Sequence, residues 1–322
     1  MILVVGEALI DLIGDSEQTD KYTSVVGGAN ANVALALARR GTPQKFAGRI
    51  SSDGFGTQIR HRLASNGVDL SWSINATEQT TLAVATIDAL GVASYSFYVN
   101  GTADWGWTRS ELPDADKLME AGVHAIQFGC LAMAVGPGNL VLEAWLKELS
   151  ETSDFTLSHD LNIRSALGFE RTFELERVLR VNSLSNLIKA SDADIEWLYD
   201  LAPRTDLDAI ALEWAREDKL IVITRGGDGA DLYFAGQKHS VTAPRINLVD
   251  TVGAGDTFMA NLLTELLNLD GLGSDPATRF GRLSEKDLAA ALDVAAKAAA
   301  LVCERQGCEP PTDNEVKALL SR

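Results

Sequence analysis

The sequence predicts an α/β domain built on a central, mostly parallel β-sheet with helices on both faces, plus a small second sheet to one side. Three observations carry this expectation. Short, continuously apolar runs alternate with helical stretches along nearly the whole chain, and strands that are apolar throughout belong in a sheet buried on both faces. Two polar segments with period-two alternation break that rhythm in the N-terminal third. With 322 residues and 46% hydrophobic content, the chain can bury the core that one large domain needs.

The elements follow in order. Ile2–Val5 is a strand, and the opening MILVVGEALID has acids where a signal peptide would have basic residues. Residues 11–26 are polar and alternating. The alanine-rich run 31–38 is a strong helix former, closed by Arg39, Arg40 and Gly41. A strand at 45–47 precedes a helix at 55–66. LAVATID and ASYSFYV then flank Ala89, Leu90 and Gly91, the pattern of a β-hairpin. The insertions at about 11–26 and 80–100 predict a small sheet projecting from a single domain that spans 1–322. An isolated ribbon is only marginally stable, so a second copy of the chain is expected against it, giving a homodimer. Strands follow at 125–128, 156–159, 186–188, Leu220–Thr224 and Ala230–Phe234, and helices at 140–149, 192–201 and 209–217. The apolar region 126–142 contains Gly129, Gly136, Pro137 and Gly138, which excludes a membrane span. A short apolar run at 246–249 predicts one more strand. Behind it Phe258, Leu262, Leu263, Leu266 and Leu267 share one helical face. The alanine-rich run 286–303 predicts a further helix, of the kind that packs closely against its neighbours.

Net charge is −17 and the pI about 4.6. Such a chain should bind neither nucleic acid nor an anionic membrane non-specifically. It also repels anionic ligands at long range, so local cations and helix N-termini must overcome the global field wherever such a ligand binds. The cysteines, Cys130, Cys303 and Cys308, lack metal-site or redox spacing and fit a reduced, cytoplasmic setting.

Between the run 246–249 and the helix behind it lies DTVGAGD, residues 250–256. Small residues let backbone N–H groups approach an anion, and a helix N-terminus adds partial positive charge. Asp256 falls in the first helical turn. An acid there repels a phosphate, so phosphate binding alone does not explain it. A base that takes a proton from an attacking hydroxyl does, while an ordinary dipole-favoured Asp is the bland alternative. Upstream, VVGGANANVALALARRG occupies 25–41. Gly27 and Gly28 allow a tight turn. Asn30 and Asn32 lie at the helix start, where amides cap backbone or bind hydroxyls; capping is the expectation for Asn30.

Together these stretches resemble the signature pair of the ribokinase-like sugar kinases, the phosphofructokinase-B type family. The opening GEALIDLI, the middle DLNIR and the closing CERQGCEPPT extend the resemblance over nearly the whole chain. It implies a ribokinase-like three-layer sandwich with the small β-sheet as a lid, and an ATP-dependent kinase acting on a primary sugar hydroxyl. Asp256 would be the base, and the amides of Gly253, Ala254 and Gly255 would hold the transferred phosphoryl. Asp11, just past the first strand, reads by itself as a turn-forming acid; the resemblance implies that it accepts two sugar hydroxyls, with Gly27, Gly28 and Asn32 as the polar floor. Tyr95 and Phe97 either cover the sugar's apolar face or pack within the lid.

In DLNIR, Asp160, Asn162 and Arg164 alternate beyond a strand. The resemblance puts Asn162 and Arg164 near the transferred phosphate, where an arginine grips oxygens bidentately. KASDAD, 189–194, matches a segment whose acid lies near metal and phosphates, here Asp194, which would hold Mg²⁺ through water or serve as an early-helix acid. Lys189, Thr224, Arg225, Gly226 and Gly229 are expected around the nucleotide. A monovalent cation such as K⁺ is implied at the carbonyls of Asp250 and Val252. Fructose stands first among acceptors; 2-keto-3-deoxygluconate, ribose, another ketose or a nucleoside remain open. A dinucleotide-dependent dehydrogenase is disfavoured, because GEALID lacks the glycine fingerprint after the first strand. A non-catalytic sugar sensor would have no use for Asp256.

Overall fold

The computed structural model describes residues 1–15, 20–87, 93–152 and 154–320. The first strand, β1 (Ile2–Val5), is buried along its whole length and lies inside the larger sheet. Its partners are β4 (Gln44–Ala47) and β9 (Ala125–Gly129), both parallel to it. Parallel pairing continues through β10 (Thr156–Asp160), β11 (Leu187–Ser191) and β12 (Leu220–Thr224). Two antiparallel strands, β13 (Ala230–Phe234) and β14 (Gln237–Val241), complete the edge. The eight-stranded order is β14-β13-β12-β11-β10-β9-β1-β4. The parallel strands carry apolar residues on both sides because both sides are covered.

On one face the core joins Ile2, Val4, Leu220 and Val222 to helices α1 (Ala29–Arg39), α2 (Gly54–Ser65), α9 (Ala254–Asn268) and α11 (Glu285–Cys303). On the other face Leu3, Val5, Ile126 and Phe128 meet α3 (Ala115–Glu120), α4 (Cys130–Ala134) and α5 (Gly138–Ser150). Further along, Ile188, Ala190, Ile221 and Ile223 pack against α6 (Arg171–Leu184), α7 (Asp192–Leu198) and α8 (Asp208–Trp214). Helix, sheet and helix form the three layers expected. The short α10 (Pro276–Arg282) and α12 (Asp313–Leu320) complete the C-terminal third.

A four-stranded sheet stands apart, in the order β3-β2-β7-β8, from β2 (Leu9–Gly14), β3 (Tyr22–Gly27), β7 (Leu82–Ile87) and β8 (Ala93–Tyr98). The two polar insertions thus join in one element. A separate two-stranded sheet pairs β5 (Arg49–Ser51) parallel to β6 (Ile74–Ala76). The hairpin turn at Ala89, Leu90 and Gly91 lies outside the described residues. Among the described residues, no helix is long and apolar enough to cross a membrane.

Two expectations are corrected. Residues 246–249 form no strand: they are irregular, with Leu248 and Val249 65% and 61% exposed. The segment is tied instead to the end of α11, through Val249 and Asp250 amides on the Cys303 carbonyl. Asn30 does not cap α1, whose N-cap is Gly28. The Asn30 amide bonds Glu7 at 2.9 Å and the Gly129 carbonyl at 3.1 Å.

Candidate active site

A cleft of about 1400 Å³ opens at the C-terminal ends of the parallel strands, between them and the four-stranded sheet, where open α/β sheets receive ligands. Asp256 lies at its floor, 6% exposed. It is in the first turn of α9, whose N-cap Gly253 has φ 75°. A side chain at Gly253 would meet Cys308 Sγ at 2.3 Å, so the turn holds only with glycine. Among the described residues the amides of Gly253, Gly255 and Asp256 donate no backbone hydrogen bond, while that of Ala254 bonds the Thr251 carbonyl at 3.2 Å. The cradle is therefore open at 253, 255 and 256, and the expected contribution of the Ala254 amide is taken by the turn.

Burial pushes the Asp256 carboxyl up to about 7. The Asn32 amide opposes that rise, Asp160 adds to it, and Lys189 and Arg164 oppose it. Asn32 Nδ2 donates to Asp256 Oδ2 at 2.8 Å, so Asn32 lines the cleft with its amide turned to the acid. The fixed bond favours the charged carboxylate while desolvation disfavours it.

The ends of β10 and β11 supply the neighbouring charges. Asp160 and Lys189 are paired in register, and the Lys189 ammonium bonds both Asp160 oxygens at 2.8 Å. Burial holds the Asp160 carboxyl above its usual range against the pull of Lys189. Asn162 follows with φ 42°, a conformation its short amide tolerates, and lines the cleft with Arg164. The Arg164 guanidinium has no carboxylate partner among the described residues and touches only the Ile163 carbonyl, at 3.4 Å. It is open to an incoming anion.

The four-stranded sheet builds the opposite wall. Val25, Asp11, Ala83 and Phe97 form one cross-strand row, and all four line the cleft. Asp11 is therefore a mid-strand residue and not a turn acid. Burial raises its carboxyl to about 6, with Arg164 opposing. Gly27 does not line the cleft; a Cβ there would meet Asp11 Oδ2 at 2.1 Å, so its absent side chain makes room for Asp11. Gly28 lines the cleft at φ 102°. The Tyr95 side chain lies outside the described residues.

Around the far end, Thr224, Gly226, Asp250 and Val252 line the cleft, while Arg225 and Gly229 do not. The Arg225 guanidinium is ion-paired with Asp231. Gly229 has φ 105°, and a Cβ would meet the Val241 carbonyl at 2.0 Å; it serves the strand crossing. Asp194 lines the cleft, but its oxygens accept the amides of Ile163 and Ser191, each at 2.8 Å, closing a capping box on α7. The α11 residues do not line the cleft and pack on α9.

Glu7 escaped sequence reasoning. It is fully buried and accepts Ala29 and Ala132 amides at 2.9 and 3.2 Å, doing from a distance the capping that α1 lacks locally. An acid directly behind an apolar strand was the available signal. The loop holding Gln306, Gly307 and Glu309 also reaches the cleft, fixed by the Gly307 amide on Asp250 Oδ2 at 2.8 Å; its CERQGCEPPT sequence carries no chemical pattern that would have placed it there.

Residues 1–315 match the model of the pfkB family carbohydrate kinases. A fructokinase of Rhizobium leguminosarum bv. trifolii is 35% identical over 269 residues, 83% of this chain and 79% of that protein. Among solved structures, a fructokinase with bound ATP from Xylella fastidiosa superposes with a TM-score of 0.87 at 24% identity, covering 99% of this chain and 98% of the other. A fructokinase from Vibrio cholerae, solved with fructose, ADP and potassium ion, gives 0.81 at 25% identity, covering 99% and 97%.

Proposed function

Because this chain belongs to the pfkB family of carbohydrate kinases, with its ribokinase-like fold, we propose that it transfers the γ-phosphoryl group of ATP to a primary hydroxyl of fructose, giving fructose 6-phosphate. The observation that carries the proposal is a buried carboxylate, Asp256, beside open amides at the start of α9, on the floor of a cleft large enough for a sugar and a nucleotide. The fructokinase names of its relatives support fructose as the acceptor.

Phosphoryl transfer asks a protein for positioning and charge compensation more than for covalent chemistry. Asp256 orients the acceptor hydroxyl and takes its proton; a carboxyl near 7 suits that task at neutral pH. The open amides of Gly253, Gly255 and Asp256 face the moving phosphoryl, each such donor being worth about 3–4 kcal/mol. Arg164 and Lys189 add the charge that overcomes the acidic surface. Asp11 receives sugar hydroxyls, with Gly28, Asn162 and the Asn32 carbonyl oxygen beside it. The four-stranded sheet acts as lid, Phe97 presenting its ring to the sugar, and a second copy of the chain covers the lid in a homodimer. Thr224 and Gly226 border the nucleotide. The enzyme works in the cytoplasm, where ATP is plentiful.

Among the described residues, no cluster of three or more acids, histidines or cysteines forms a dedicated metal cage. Mg²⁺ would arrive on the nucleotide phosphates and be held through water near Asp194, which lines the cleft. The ion supplies neutralisation of phosphate charge. The carbonyls of Asp250 and Val252 accept no hydrogen bond from the described residues, which fits K⁺ taken up by backbone oxygens.

The test is a panel of fructose, ribose, 2-keto-3-deoxygluconate and a nucleoside with ATP and Mg²⁺, read by ADP release and by the phosphate position in the product. Fructose should give the highest kcat/KM, with phosphate on C6. Preference for another acceptor would move the assignment within the family.

A further inference from the structure

Asp160 lies behind the cleft wall, where it bonds the buried Lys189 ammonium beside the amide cradle. It ends β10 directly opposite Lys189 on β11 and is 4% exposed, Lys189 3%. Both carboxylate oxygens bond the ammonium at 2.8 Å, occupying two of its three donors. Lys189 Nζ lies 3.4 Å from where a Gly255 side chain would begin, one residue from Asp256. Building on the kinase proposal, we propose that Asp160 is a positioning residue: it ties the Lys189 ammonium down beside the α9 amides, ready for phosphate, and keeps it from closing on Asp256.

A buried ammonium without a local partner seeks the nearest carboxylate, because a low-dielectric interior makes an unpaired charge costly. Without Asp160, that carboxylate is Asp256, and an ion pair there would quench the base. Asp160 also acts on Asp256 through its own charge. The groups facing Asp256 are Asp160 from β10, Lys189 from β11 and Arg164 from the loop behind β10. The thiols of Cys130 and Cys308 also face it, and burial pushes both up, so they stay neutral. Asp160 raises the Asp256 carboxyl and Lys189 lowers it. Removing one member of the pair must therefore shift the base opposite to removing the other.

The experiment compares wild type, Asp160→Asn, Lys189→Met and the double variant. The acid limb of kcat/KM against pH is one readout. The other is the side-chain ¹³C titration of Asp256, assigned by its loss in Asp256→Asn. Both midpoints should fall by about one pH unit in Asp160→Asn and rise by about one in Lys189→Met. In the double variant they should return near wild type. kcat should fall at least about tenfold in Asp160→Asn, and the double variant should be no slower than Lys189→Met alone, because Asp160 acts through the lysine. Should Asp160→Asn not fold, Asp160→Glu keeps the charge while displacing the ammonium; its kcat should fall, and its double variant with Lys189→Met should be no slower than Lys189→Met alone, whereas an unchanged kcat in Asp160→Glu overturns the proposal. Midpoints that stay put, or move in the same direction in both single variants, overturn the proposal, as does a double variant whose kcat loss is the product of the single losses. Absence of phosphotransfer in wild type would sink the kinase assignment by itself, while the ¹³C titration still decides the role of the pair.

Discussion

Asp256 owes its charge state to residues far away in sequence. Its carboxylate accepts a side-chain bond from Asn32, 224 positions earlier. That bond favours the carboxylate, so Asn32→Leu should raise the Asp256 pKa and move the acid limb of kcat/KM up by about one pH unit; a pH–rate profile checks it. Asp11 is the second test. Asp11→Asn should raise KM for the sugar by about 10–100-fold, the worth of hydrogen bonds to a charged group, and leave KM for ATP within about twofold. Equal effects on both would remove Asp11 from the sugar. At this scale the sequence revealed residues whose chemistry is local. Asp256 stood out as an acid set among small residues at a helix start, while Asn162 and Arg164 were placed by the family resemblance. Asp160 and Glu7 were illegible as partners, since a buried acid declares itself only when the group it holds is known. Arg225 misled because its competitor, Asp231, lies on the next strand.

At the scale of elements, glycines decide how closely the pieces approach. Gly253 begins α9 in a left-handed conformation against Cys308. Gly253→Ala should cost about 1–2 kcal/mol in backbone strain and displace the cradle; a fall in both Tm and kcat is expected, the first by calorimetry and the second by ADP release. The large sheet was legible because parallel strands are apolar throughout, and α1, α9 and α11 because alanine and leucine recur at helical spacing. The small sheet was legible as two alternating segments, although its pairing, β2 parallel to β7, depends on tertiary contacts. The run 246–249 failed as a strand because apolar composition does not supply a neighbour; its amides found the end of α11 instead.

The whole molecule carries a net charge of −17 and several acids that burial has made reluctant to ionise, Asp104 and Asp256 near 7 and Asp11 near 6. A carboxyl raised in the folded state binds more protons there than in the unfolded chain. Its destabilising effect is absent below its unfolded value and complete above its folded value. Buried His159, held down to about 3, works the other way below about 6.5, so the net loss of stability in the ligand-free protein as pH rises should be concentrated around pH 6 to 7, where Asp104 and Asp256 ionise. Carboxylates held low, such as Asp231 near 2, cost stability only at still lower pH. Tm should be higher at pH 5.5 than at pH 8 by about 3–6 °C, and added salt at pH 8 should narrow the gap by screening; differential scanning calorimetry reads both. Sedimentation should show a species of twice 34.5 kDa if the four-stranded sheet meets a second copy. The measurement that bears most directly on the central claim is a single turnover of ATP with saturating fructose in wild type and Asp256→Asn. Fructose 6-phosphate should form in wild type and about 10³-fold more slowly in the variant, with nucleotide and sugar affinities retained. Comparable rates in the two proteins would contradict a carboxylate base at the start of α9.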